Sequence, residues 1–318
     1  MRRFVLLSSL IILGACTGRK FPMPTIVENN VITDSTYVRT DFWNLPGEVR
    51  DIQVGPDGYI YILFPDSLTK FYKSMTPVGF TIHLNDAISF YISSDRYFYV
   101  LDLGDSSIKV FDYDGTFVGS EHTKALTPAT GPFTSVSADG DGNIFVTYMD
   151  SSLLLKFKRD SLNLRPPEIL STEGGGINNV RRPWGTAYKS GVVFVASSGN
   201  HWVEGLTDES PAQNVIHLGG LIPEPSDSEG RFDTPMDVTL DSYGAIYVLE
   251  YGNRRFQKFS PSGEFVMVSS SPDSALVPVA IAVSLDGKDI YAAYRMGQDS
   301  SRIEVYNKPQ RIGEGDEQ

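Results

Sequence analysis

An aromatic residue recurs six times along this chain in the same local setting: Tyr61, Tyr99, Phe145, Phe194, Tyr247 and Tyr291. Each sits centrally in a β-prone run, and the separations are 38, 46, 49, 53 and 44 residues. A period of this size marks one supersecondary unit that buries its apolar face only by stacking on its neighbours. A second set repeats in phase, with Phe71, Phe111, Phe157, Leu206, Phe259 and Tyr306 closing a further run in each unit. Inside the units the alternation has period two: Ile246 and Val248 face one side and Tyr247 the other, which suits strands covered on both faces. No segment carries a sustained helical stripe. Asp57-Gly58, Asp114-Gly115 and Ser262-Gly263 stand between successive runs as tight-turn residues, so the units are antiparallel hairpins and not coils of a parallel solenoid. The expected fold is all-β: a six-bladed β-propeller of four-stranded antiparallel blades, spanning residues 35–308.

The sixth unit has only three strand-like runs, Val279–Ser284, Asp289–Tyr294 and Arg302–Tyr306, and the polar stretch after them contains Pro309. A regular fourth strand there is disfavoured. Ahead of the first unit lies Ser35-Thr36-Tyr37-Val38-Arg39-Thr40, β-prone and otherwise unassigned. It is expected to supply the missing outer strand, closing the ring and covering an open edge.

The first residues read Met1-Arg2-Arg3, then an apolar run from Phe4 to Leu13, then Gly14-Ala15-Cys16. A charged start, a short apolar core and small residues before a cleavage point form a secretory signal over residues 1–15. The run is too short to span a membrane as a helix. Leu13-Gly14-Ala15-Cys16 resembles the bacterial lipobox, which implies cleavage before Cys16, lipid on its thiol, and a place in the cell envelope. Thr17, not Asp, follows the cysteine, and by that analogy the outer membrane is favoured over the inner. Residues 16–34 then read as a flexible lipidated tether and residues 309–318 as a solvated tail. Cys16 is the only cysteine, so stability cannot draw on disulfides. The net charge is −12, and losing a signal with two arginines and no acid makes it more negative. Such a surface argues against nucleic acid as a partner, and leaves the lipid anchor as the sole means of membrane attachment.

The fifth unit carries a denser pattern: Pro235, then Asp241-x-x-Gly244-x-Ile246-Tyr247-Val248, Glu250, Gly252-Asn253-x-Arg255 and a strand ending Lys258-Phe259. It resembles an NHL repeat. The second unit matches well through Tyr99-Val100-Leu101-Asp102 and Ile108–Asp112, the others less completely, and the resemblance covers roughly Gly47 to Tyr306. It implies a six-bladed propeller and says little about activity, because fold does not fix function.

Strand alternation sorts the loops onto two faces. Turns between first and second strands, and between third and fourth, share one face and include Asp139-Gly140-Asp141-Gly142 and Asp286-Gly287. Asp139-x-Asp141-x-Asn143 opens like a calcium loop, but Ile144 stands where that loop needs glycine, so it reads as a hairpin turn. The blade-to-blade connections and second-to-third turns share the other face. This connection face is expected to gather Arg50, Asp51, Asp102, Arg181, Arg182, Trp184, Asp237, Glu250, Arg254 and Arg295 as a candidate ligand face. The long segments Thr172–Val180 and Gly219–Gly230 lie there too. Two guanidinium groups beside an indole at Arg181-Arg182-Pro183-Trp184 suit a carboxylate, a phosphate or a stacked sugar. The alternative is that these charges pair among themselves to satisfy the channel mouth.

Three functions stay open from sequence. A non-catalytic binding or scaffold module for a protein, peptide or glycan asks least of the residues. A metal-assisted hydrolase or lyase needs ligands converging in the central funnel. His83 and His217 fall in outer strands and His122 in a loop, which leaves only His201 near the axis; no cofactor is called for. An all-oxygen calcium site from Asp51, Asp102, Asp237 and Glu250 remains as the catalytic alternative. No Gly-x-Ser-x-Gly elbow, phosphate-binding glycine loop or catalytic cysteine occurs.

Overall fold

The computed structural model describes residues 37–122, 128–161, 166–271 and 273–308. The expected signal peptide, Cys16, the expected tether, Ser35 and Thr36, and residues 309–318 lie outside them. The first strand is Val38–Pro46 (β1). Blade 1 comprises Asp51–Val54, Ile60–Phe64, Ser67–Phe71 and Pro77–His83 (β2–β5). Blade 2 comprises Ala87–Ile92, Tyr97–Asp102, Ser107–Asp112 and Phe117–His122 (β6–β9). Blade 3 follows with Phe133–Ala138, Asn143–Tyr148, Leu153–Lys158 and Glu168–Ser171 (β10–β13). Blade 4 has Pro183–Lys189, Val192–Ser197, Trp202–Thr207 and Asn214–Leu218 (β14–β17), and blade 5 has Pro235–Leu240, Ile246–Glu250, Arg255–Phe259 and Phe265–Ser270 (β18–β21). Blade 6 has Val277–Val283, Asp289–Arg295 and Ser300–Asn307 (β22–β24), and β1 completes it. Six four-stranded antiparallel sheets result, each in simple sequential order except the last, which runs β1-β24-β23-β22.

The two recurring sequence positions meet in every blade. The residue just before each second-strand aromatic pairs with the third-strand residue that repeats in phase: Ile60 with Phe71, Phe98 with Phe111, Ile144 with Phe157, Val193 with Leu206, Ile246 with Phe259 and Ile290 with Tyr306. The aromatics themselves are almost fully buried and do different work from blade to blade. The Tyr61 hydroxyl donates to Asp57 at 2.9 Å, while Lys70 pairs with the same carboxylate at 2.8 Å. Tyr247 donates to Asp241 at 3.0 Å, with the Lys258 ammonium 5.2 Å from the ring centroid. Phe145 stacks on Tyr188 of the next blade at 5.3 Å, and Tyr291 stacks on Trp43 of β1 at 5.9 Å.

The ring closes as expected, through an N-terminal strand, which shares Val38–Thr40 with the expected segment and continues to Pro46. Tyr37 precedes the strand, and pairing runs from Val38 opposite Asn307 to Pro46 opposite Ser300. Tyr37 packs with Ile290, Tyr294 and Tyr306 of blade 6, and Trp43 and Leu45 extend the contact to Ala293 and Ile303, so the strand runs beyond the expected segment. Arg39 reaches the fully buried Glu304 at 2.9 Å, and Glu304 also accepts from Ser271 and Tyr306. A second correction concerns His122. It ends the outer strand β9 instead of lying in a loop.

One irregularity positions the site. Five of the six inner strands carry a register shift near their first residues, between Ala87 and Ser89, Phe133 and Ser135, Pro183 and Thr186, Pro235 and Asp237, and Pro278 and Ala280. A bulge re-aims the side chain that follows it.

Candidate functional site

The residues at these five bulges, Ser89, Ser135, Gly185, Asp237 and Ala280, form a girdle around the axis together with Asp51 of the unbulged β2. Asp51 opposes Leu63, Ser89 opposes Leu101, Ser135 opposes Thr147, Asp237 opposes Leu249 and Ala280 opposes Ala293, one equivalent register position in five blades. Where the girdle residue is polar it reaches the inner strand of the next blade. Asp51 Oδ2 accepts from the Phe90 amide at 3.0 Å and from the Ser89 hydroxyl at 3.1 Å. Ser89 Oγ accepts from the Val136 amide at 3.3 Å, and Ser135 Oγ from the Thr186 amide at 3.1 Å. Asp237 Oδ2 accepts from the Ile281 amide at 2.8 Å. Gly185 supplies room, since a Cβ there would lie 2.6 Å from both Cα and Oδ1 of Asp237.

The girdle is one end of an axial cavity of about 430 Å³. From Asp51, Ser135, Thr186 and Asp237 the walls run along the inner strands through Ile52, Val54, Ile92, Val238, Leu240 and Val283. The mouth lies at the first-to-second-strand turns, where Pro56, Ser94, Ser190, Ser242 and Leu285 are exposed. The volume falls within the usual range for small-molecule pockets. It opens on the tight-turn face, opposite the face on which the sequence reading placed the ligand site.

Asp51 and Asp237 lie deep in the ring yet keep part of their surface toward this cavity. Burial pushes the Asp51 carboxyl up to about 7 against the hydrogen bonds that favour its charge. Burial, with the charge of Asp51 second, pushes Asp237 well above the usual carboxylate range. Two like charges in one poorly hydrated space resist simultaneous ionisation. Tyr91 crosses the lumen to donate to the Tyr188 carbonyl at 3.2 Å, and burial raises its phenol to about 12.

The other sequence-predicted residues are placed elsewhere. Asp102 is fully buried in a second-to-third turn, where it accepts from the Asn85 and Gly104 amides and pairs with Lys109 at 2.6 Å. Glu250 is its counterpart in blade 5, pairing with Arg255 at 2.5 Å and accepting from the Asp233 amide, Asn253 and Gln257. Arg255 also donates to the carbonyls of Asp227, Ser228 and Arg231, pinning the long connection before β18. The NHL-like acid and Asn-x-Arg residues therefore brace a loop. The four carboxylates considered for calcium do not come together, and among the described residues no three His, Cys, Asp or Glu side chains converge. His201 sits at a turn, where its Nδ1 accepts from the Thr234 amide at 3.0 Å; no histidine lines the cavity. Asp139 holds its turn by accepting from the Asp141 and Asn143 amides, each at 2.8 Å.

Arg50, Arg181, Arg182, Trp184, Arg254 and Arg295 do lie on the connection face. Arg50 and Arg295 share Glu48, at 3.1 and 3.8 Å. Arg181, Arg182 and Arg254 form no ion pair with a described carboxylate, and all three are exposed. The same face exposes Ile177, Trp184, Leu221, Ile222, Tyr251 and Met296, all contributed by blades 4 to 6 and the connections leading into them. Of that apolar set sequence reasoning named only Trp184, and it missed Ser89, Ser135, Gly185 and the wall residues of the cavity.

A six-bladed β-propeller with an axial cavity on one face and an exposed arginine and apolar surface on the other is the class that fold and geometry define. No family model matches the chain, and no curated protein does. Among solved structures, one described as "Streptogramin B lyase structure" superposes with a TM-score of 0.57 at 13% identity, covering 85% of this chain and 88% of that one. At that identity the likeness concerns the fold alone.

Proposed function

We propose that this chain is an NHL-type propeller anchored by lipid on Cys16 outside the cytoplasm. It acts there as a non-catalytic binding module for a protein or peptide docked on its connection face. The observation that supports this reading is the coincidence of exposed Arg181, Arg182 and Arg254 with exposed Trp184, Leu221, Ile222 and Tyr251 on one face. Aromatic and arginine side chains dominate binding energy where partners meet, and apolar side chains exposed together on one face are uncommon without a partner. Guanidinium groups without an internal carboxylate suit acidic side chains on that partner. Loops on a rigid scaffold can present such groups without reorganising.

The test is crosslinking capture from the cell envelope with the lipidated protein and with a variant carrying Trp184→Ala, Arg182→Ala and Leu221→Ser. One stoichiometric protein recovered with the parent and lost with the variant is the expected result. Equal recovery with both, or recovery of no protein, overturns the docking surface. Replacing Cys16 by Ser tests the anchor separately, because the protein should then leave the membrane fraction.

A further inference from the structure

The axial cavity is not used by the connection-face reading, and its chemistry is specific. We infer that it is a second binding site, which takes a small organic cation: a protonated amine carried on an apolar body and entering from the tight-turn face. Its ammonium would sit at the girdle between Asp51 and Asp237.

Two features of the cavity select that ligand. Its far end presents two carboxyl groups from different blades, each fixed by backbone amides on its own and the neighbouring inner strand. Asp51 holds Ile52 N at 2.8 Å and Phe90 N at 3.0 Å, and Asp237 holds Val238 N and Ile281 N, both at 2.8 Å. Both groups are therefore oriented before any ligand arrives, which lowers the cost of binding. Gly185 of blade 4 lets Asp237 pack closely at this level, since a Cβ there would lie 2.6 Å from the Asp237 Cα. The walls between girdle and mouth mix aliphatic side chains, Val54, Ile92 and Leu240 among them, with the polar Gln53, Thr186 and Thr239. A space of about 430 Å³ is far larger than a bare ion needs, and the aliphatic part of its wall suits an apolar body. An amine with an apolar body satisfies floor and wall together.

The remaining ionisable side chains lining the cavity are Tyr91 of β6, Tyr188 and Lys189 of β14, and Asp241 just after β18. Tyr91 is committed to the Tyr188 carbonyl, Tyr188 donates to Asp208 at 3.3 Å, and Asp241 accepts from Tyr247 at 3.0 Å. Lys189 lies near the mouth and donates to the Ser242 carbonyl at 3.0 Å, so it does not bring its ammonium to the girdle. Without a ligand the pair avoids its mutual repulsion by keeping protons. A bound ammonium would replace them, and binding should release protons to the buffer.

The experiment is calorimetric titration of the mature protein with 2-phenylethylamine and, as the neutral isostere, 2-phenylethanol. Repeating the amine titration near pH 7 in buffers of different ionisation enthalpy measures proton release. The expected result is saturable one-site binding of the amine, at least tenfold tighter than the alcohol, with net proton release. Asp237→Asn should weaken the amine tenfold or more and leave the alcohol unchanged. Asn places a donor against one of the girdle amides and could disturb folding, so Ser94→Trp at the exposed mouth is the second variant. It leaves both carboxylates intact and should block entry of amine and alcohol alike. Equal affinity for amine and alcohol, no saturable binding, or amine binding unchanged in both variants overturns the site. Partner capture on the connection face should be unaffected by Ser94→Trp, so the two sites fail or stand independently.

Discussion

Asp237 spans two blades: its carbon skeleton belongs to the inner strand of blade 5, and its Oδ2 accepts the Ile281 amide of blade 6 at 2.8 Å. Asp51 makes the same link from blade 1 to blade 2 through Phe90. The acidic pair therefore stitches the ring at two places while facing its lumen. Stability and any lumen chemistry are drawn from the same carboxylates.

That double duty predicts a pH dependence. Burial raises Asp51 to about 7 from an ordinary 3.8, and Asp237 moves in the same direction. The folded pair holds its protons to higher pH than the unfolded chain does. Its contribution is therefore fully present below the ordinary carboxylate value and is lost as pH rises through about 7. Urea denaturation at pH 5 and pH 8 should show the parent losing more stability over that interval than Asp51→Asn/Asp237→Asn. Parallel losses in the two proteins would remove the pair as the source.

Gly185 predicts a purely steric effect. A methyl group there would press on backbone and carboxylate of Asp237 at 2.6 Å, and neither is the free end of a flexible side chain. Gly185→Ala should destabilise the protein by roughly 1–3 kcal/mol, the usual cost of overpacking a tight site. Pairing it with Asp237→Ala removes one of the two clashing groups, so the combined loss should fall short of the sum. Strict additivity in that double-mutant cycle would argue against the contact.

The ring was legible because its signal is carried by large buried side chains. Tyr61 and Phe71, or Tyr247 and Phe259, recur at positions where each blade must fill the gap to its neighbour, and only aromatic or large aliphatic residues fill it. The girdle was illegible for the opposite reason. Its members are Asp, Ser, Gly and Ala, set in five blades beside a backbone bulge that shows no compositional mark. Asp51, Ser89, Ser135 and Asp237 each stand ten residues before their second-strand aromatic, a phase that could have grouped them. Blades 4 and 6 depart from it, because the turns after β14 and β22 differ in length. Asp102 and Glu250 could not be sorted between the two readings, because an acid beside a glycine turn looks the same in sequence whether it meets a ligand or a buried lysine or arginine. Nothing in the sequence foretold that the cavity would open on the tight-turn face.

Two adjacent arginines provide a sharper contrast. Arg255 is nearly buried and holds Glu250 together with three carbonyls of the preceding connection, whereas Arg254 is exposed and donates to the Ser274 carbonyl. Arg255→Ala leaves Glu250 buried without its cation and should cost about 3–5 kcal/mol. Arg254→Ala should stay within about 0.5 kcal/mol, as exposed substitutions do. Urea denaturation of both variants decides it, and similar costs would contradict the bracing role of the Glu250–Arg255 pair.

The closing strand makes the last prediction, because it tests how the ring is held and not merely that it is closed. β1 brings Trp43 against Tyr291, with ring centroids 5.9 Å apart, and Arg39 against the buried Glu304. Trp43 is only half-buried, so Trp43→Ala should cost roughly 1–3 kcal/mol, less than truncating a fully enclosed ring. Removing the strand altogether, in a chain that begins at Gly47, also strips the hydrogen bonds from one edge of β24 and leaves Glu304 without its guanidinium. That chain should melt well below the parent and should associate through the open edge. A synthetic peptide covering residues 37–46 should restore the melting temperature in a saturable manner, and a peptide with Arg39→Ala and Trp43→Ala should do so less well. If the shortened chain melts with the parent, the last blade is held by its three C-terminal strands alone, and the closure assigned to β1 carries no stability.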